Sequence, residues 1–278
     1  MNNDEPADLL FAEREDREKG FAIVFESDIK PKLADIETSR VAAVMAGEAE
    51  RFRGTFKRTV VPEILKFAGA LTYDPDDGIA EAALYASKLF DEIQGIESED
   101  LITGETSGLP FQWSEVRSGA VGGFRGFVVM VDLLLERGEI GTETLILAVR
   151  DKRTAGNLFE RWVRAFDKEK QVSFDNAEFE RDFEVYATDA NEARALVTAK
   201  LIRCISELGE LTGASGIEFA MVWNQFLLKV ETQDDLFEPS DVNRSALNTE
   251  DCRRILAEIH KVLEIVDTLA EGIKAEAG

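Results

Sequence analysis

Few residues in this sequence are of a type that does chemistry by itself. There is one histidine, His260, and there are two cysteines, Cys204 and Cys252. A tetrahedral zinc site is built mainly from cysteine and histidine, and one His with two separated Cys cannot supply its usual ligand set. A nucleophile–base pair would need His260, and no nucleophile elbow accompanies it. His260 flanks the apolar stripe of a helical pattern and reads as a rim histidine, while both cysteines lie on apolar helical stripes and read as small buried hydrophobes. The glycine-dense stretch Gly119–Gly126 (GAVGGFRG) lacks Gly-Lys-Ser/Thr and precedes a strand, whereas phosphate cradles open into helices. It reads as a hairpin turn. Asp74, Asp76 and Asp77 imitate a calcium loop, but the later ligand positions are out of register. Glu97, Glu99 and Asp100 read as a solvated acidic loop. With 55 Asp and Glu in the chain, a carboxylate pair working as acid and base has no unique address. No residue is assigned a catalytic, cofactor-binding or metal-ligating role, and no cofactor is expected.

Composition narrows the partners. Lys and Arg number 32 against 55 Asp and Glu, a formal charge of −23, with a sequence pI near 4.5. Such a surface repels phosphate backbones and anionic headgroups, so nucleic acid is not an expected partner. Hydrophobic residues at 45%, with 18 Phe, indicate a folded chain. Two cysteines make no disulfide framework, and MNNDEPADLL lacks the basic and apolar regions of a signal peptide. The longest apolar runs, Phe127–Val131 and Leu145–Val149, are of strand length and too short for a membrane span. A cytoplasmic location is expected.

The elements that must position any site centre on residues 179–232. Phe183, Val185 and Ala187 alternate with polar neighbours as in a half-buried strand. Asp189 and Glu192 form a capping box for a helix over 190–211, whose stripe runs Ala193, Leu196, Val197, Leu201, Cys204, Ile205, Leu208. Thr212-Gly213 ends it. A hairpin follows; with Asn224-Gln225 as its turn, Trp223 pairs with Phe226, Met221 with Leu228 and Phe219 with Val230, all on one face that must be covered. Upstream, residues 101–105, 110–117, 125–132 and 144–150 read as strands separated by Gly-bearing turns. Residues 5–40 form a helix that Pro31 should kink or break, 42–70 a second helix interrupted near Gly54 and Pro62, and TYDPDDG at 72–78 a turn. Residues 79–92 are a mixed segment, 156–170 an amphipathic helix or an extended segment, and Asn248–Asp251 caps a last helix striped from Cys252 to Ile273. The fold class is α+β: a largely antiparallel sheet from 101–150, 182–187 and 216–232 with a packed helix, plus N- and C-terminal amphipathic helices. The divisions are 1–70 (helical), 71–240 (α+β) and 241–278 (last helix). The two ends carry apolar stripes that should pack together or form a helix-mediated homodimer.

Several phrases resemble one bacterial family. FRGFVVMVDL at 124–133, DNAEFERDFEVYATDANEARALVTAKLI at 175–202 and the hairpin ending in LFEP at 236–239 are similar to DUF3137, a family of unknown function. KRTVVPEILKF at 57–67, the turn at Tyr73–Pro75, EDLITGETSGLPFQWSEV at 99–116 and Phe25–Arg40 support the match, which covers most of 20–240 and leaves out the last helix. Members commonly carry two transmembrane helices after the N-terminal segment. Here that place holds VAAVMAGEAE at 41–50, too short and too charged to span a bilayer. The resemblance implies an intracellular soluble domain, in a family grouped with LemA-type membrane proteins; it implies no reaction and no catalytic residues. The expected function is a non-enzymatic adaptor or protein-binding module near the inner face of the bacterial membrane. The alternative is a metal-dependent enzyme using acidic residues.

Overall fold

The run Phe127–Val131 has no polar break because both of its faces are covered. Strand Arg125–Asp132 is buried at every position between its ends. On one face, Val128 and Met130 lie with Ala220, Val222 and Leu227 against Ile79, Leu84, Leu89 and Phe90. On the other, Phe127 and Val129 share a side with Trp113, Phe219, Phe226 and Leu228, all fully buried. Ring contacts bind that side: Trp113–Phe127 at 5.7 Å, Phe219–Phe226 at 5.7 Å and Phe183–Phe219 at 6.2 Å between centroids.

The structure, a computed structural model, describes residues 19–90, 95–119, 123–134, 146–149, 170–174, 180, 183–222, 224–245, 247 and 249–277. Within them the chain divides into two units: Met1–Gly69 with Phe237–Leu256, and Ala70–Leu236 with Ala257–Gly278.

The larger unit is built on a nine-stranded sheet: β1 (Thr72–Asp74), β2 (Ile96–Thr106), β3 (Leu109–Ser118), β4 (Arg125–Asp132), β5 (Ile146–Val149), β6 (Lys170–Val172), β7 (Glu184–Ala187), β8 (Gly216–Val222) and β9 (Gln225–Glu231). Their order is β1-β2-β3-β4-β9-β8-β5-β7-β6, and every pairing among the described residues is antiparallel. The fold is therefore α+β. The supposed turn 72–78 begins with β1, which pairs with residues 101–103 of β2. Residues 97–100, read as a loop, belong to β2, which starts at Ile96. Close backbone approach fixes one glycine: at Gly126, φ is 155° and an added Cβ would lie 2.0 Å from the Val230 carbonyl oxygen.

The β8–β9 hairpin corrects the expected register. Met221 pairs with Phe226, Phe219 with Leu228 and Ile217 with Val230, and the last pair is Val222–Gln225. The pairing is offset by two residues, so Phe219, Met221, Phe226 and Leu228 keep their common face. An offset of one would have turned them over. Trp223 lies outside the described residues.

The expected helix over 190–211 is two helices. Asp189 caps the first as predicted, accepting from the amides of Asn191 (2.8 Å) and Glu192 (3.1 Å). That helix ends at Leu196, and Thr198 caps the next, its hydroxyl accepting from the Leu201 amide at 3.2 Å. A threonine in extended backbone competes with the helix for that amide, which an apolar stripe does not reveal. Gly213, at φ 63°, terminates the second.

In the smaller unit, residues 19–46 form one helix, α1; α2 is Ala49–Thr59 and α3 is Val61–Ala68. Pro31 does not break α1. A π-helical stretch, Phe25–Ile29, precedes it, so the amide that proline lacks falls where the helix is already changing its hydrogen-bond spacing. Gly54 lies inside α2, and the break before Pro62 comes at Val60. Continuing in chain order, α4 is Glu81–Ala86, α5 is Ala190–Leu196, α6 is Ala199–Leu211 and α7 is Thr249–Ala277. Phe21, Phe25, Ile29, Leu33, Phe52, Phe56 and Ile64 are buried. Phe21 packs edge-on to Phe67 at 5.9 Å, with the Arg253 guanidinium 6.0 Å above its ring. Glu238, from the LFEP loop, is held by Lys57 (3.0 Å) and Arg53 (3.2 Å), and its carbonyl accepts from Arg254. The segment 156–170 up to residue 169 and the cap residue Asn248 lie outside the described residues.

Candidate functional site

Charge concentrates where β2, β3 and β4 end. Between Glu99 and Ile102 the β2–β3 register shifts, and Asp100 takes φ 60° inside the irregularity. A bulge of this kind re-aims a side chain, and Asp100 is turned in until no part of it is exposed. Its carboxylate accepts from the Tyr73 hydroxyl at 2.5 Å, and its amide donates to the Pro75 carbonyl. Beside it Glu99 stands directly opposite Glu115 of β3, a like-charge pair that is unfavourable without compensation. Carboxylate oxygens of Glu99, Asp100 and Glu115 lie within 4.8 Å of one another.

The compensation comes from the same sheet end. Arg117 lies 3.2 Å from Glu99, 3.0 Å from Glu115 and 3.0 Å from Asp235. Arg125, its cross-strand neighbour, lies 2.5 Å from Asp235. Partial burial disfavours the charged form of Arg117, but the hydrogen bond to Glu115 and the surrounding carboxylates outweigh it and raise its pKa. For Asp235, burial pushes the pKa up; hydrogen bonding with Glu115 and Arg125 and the nearby guanidiniums prevail and bring it to about 2. Three oxygen donors at this spacing are what a hard cation takes. Here at least two of those carboxylates already face a guanidinium, so an ion would compete with Arg117.

Of the residues singled out from sequence, Glu99 and Asp100 enter this cluster, and the others are not brought to it. Asp74 and Asp77 use their carboxylates to shape the turn, accepting from the amides of Asp76 (3.0 Å) and Gly78 (2.8 Å). The Gly119–Gly126 stretch joins antiparallel β3 and β4, and the Ser118 amide donates to the Phe124 carbonyl at 2.8 Å. Residues 120–122 of it lie outside the described residues. Cys204 and Cys252 are buried free thiols. Burial raises both, Cys252 to about 12, which keeps them protonated and unreactive. Half-buried His260 lies on α7.

A concavity of about 360 Å³ lies beside β6 and β7 with Glu180 and Glu184 on its wall. Glu180 accepts there from the Ser173 hydroxyl (2.6 Å) and the Phe174 amide (2.7 Å), which lower its pKa.

Sequence reasoning missed Glu115, Arg117, Arg125 and Asp235. The alternation Trp113, Glu115, Arg117 along a strand was a readable signal, since it places two opposite charges on the face of a core tryptophan. The bulge was not readable.

Neither the curated proteins nor the solved structures contain a match to this chain. A family described as "Protein of unknown function (DUF3137)" matches over residues 123–271. That span takes in most of α7, which the resemblance left out, and Arg125 and Asp235 of the charge cluster; Glu99, Asp100, Glu115 and Arg117 precede it. The match covers more than half of the sequence, from the start of β4 into the last turns of α7, and the chain belongs to the DUF3137 family.

Proposed function

We propose that this chain is a non-enzymatic adaptor, a cytoplasmic protein-binding module acting at the inner face of the bacterial membrane. One observation carries the choice of binding over catalysis: Arg117 sits on Glu99, Glu115 and Asp235, so these carboxylates already face a cation supplied by the fold. A catalytic metal site needs carboxylate lone pairs open to the ion and a position for water or substrate. The metal-dependent alternative would use Glu99, Asp100 and Glu115, with the ion displacing Arg117. The net charge of −23 then sets the partner's chemistry, which is basic. No described helix is long and apolar enough to cross a membrane, so membrane association would run through that partner. The family resemblance favours a LemA-type membrane protein, and a second copy bound through the terminal helices is a further partner.

The test is affinity purification of the full-length protein from its host with membranes solubilised, at about 50 mM and about 500 mM salt. A membrane protein with a basic cytoplasmic segment should co-purify at low salt and dissociate at high salt. Recovery of the chain alone at low salt, carrying a stoichiometric divalent ion, would overturn the reading.

A further inference from the structure

We draw no further inference here: the strongest candidate, the concavity beside β6 and β7, owes its charge to Glu180 and Glu184 alone, and no second feature among the described residues points to a ligand for it.

Discussion

Asp235→Asn is the sharpest probe of the charge cluster because it removes one charge and almost no volume. Asp235 accepts from Arg117 at 3.0 Å and Arg125 at 2.5 Å, and its folded pKa is about 2 against an ordinary 3.8. A folded pKa below the unfolded one means that the carboxylate stabilises the fold above about pH 4 and that this contribution disappears as pH falls towards 2. The full linkage is worth roughly 2.4 kcal/mol at 1.36 kcal/mol per pH unit; with part of the side chain facing water, about 1–2 kcal/mol is expected at pH 7. For a chain of this length that is a Tm lower by roughly 3–6 °C. Thermal melts of parent and variant should be compared from pH 7 to pH 3 at fixed ionic strength. The difference between the two reports Asp235 together with Glu115, which hydrogen-bonds it, because the remaining carboxylates titrate in both. Exposed Glu210→Gln, on α6, controls for the loss of one negative charge from a chain at −23. The gap should be widest near neutrality and narrow steadily below pH 4. A gap of equal size at pH 3 and pH 7 would mean that Asn fails for steric reasons and that the ion pairs are not what holds Asp235.

Other substitutions test the frame. Gly126→Ala should cost about 3–5 kcal/mol, from backbone strain and a Cβ 2.0 Å from the Val230 carbonyl, and should lower Tm and urea midpoint together; Gly108→Ala, with open space around it, should cost about 1 kcal/mol. Glu238→Ala leaves Lys57, itself 8% exposed, facing a lost partner, and should destabilise by about 3 kcal/mol, measured by urea titration; an unchanged midpoint would show that the pair contributes nothing. Phe219→Ala deletes a fully buried ring that contacts Phe183 and Phe226 and should cost about 3–5 kcal/mol, with a Tm unchanged within error contradicting its burial.

Much of this architecture is determined locally and could be read without coordinates. Period-two alternation placed β7, β8 and β9, because successive strand residues point to opposite faces whatever surrounds them, and Gly-bearing turns bounded β3 and β4. Asp189 and Gly213 marked helix ends through short-range hydrogen bonding and left-handed backbone, which depend only on neighbouring residues. Even the mistaken hairpin register kept the correct face, since an offset of two preserves strand parity. Tertiary structure decided what no local pattern encodes. Thr198 divides the helix by taking an amide that the stripe Leu196–Leu201 assigns to a single helix. Pro31 is carried by a π-helical stretch instead of ending α1. The bulge at Asp100 draws residues of a supposed acidic loop into a strand and buries one of them. The charge cluster exists only because Tyr73, Glu99, Asp100, Glu115, Arg117, Arg125 and Asp235, spread along the sequence, meet at one end of the sheet. Electrostatic interaction depends on distance in space, and that distance is set by the antiparallel registers of β1 to β4.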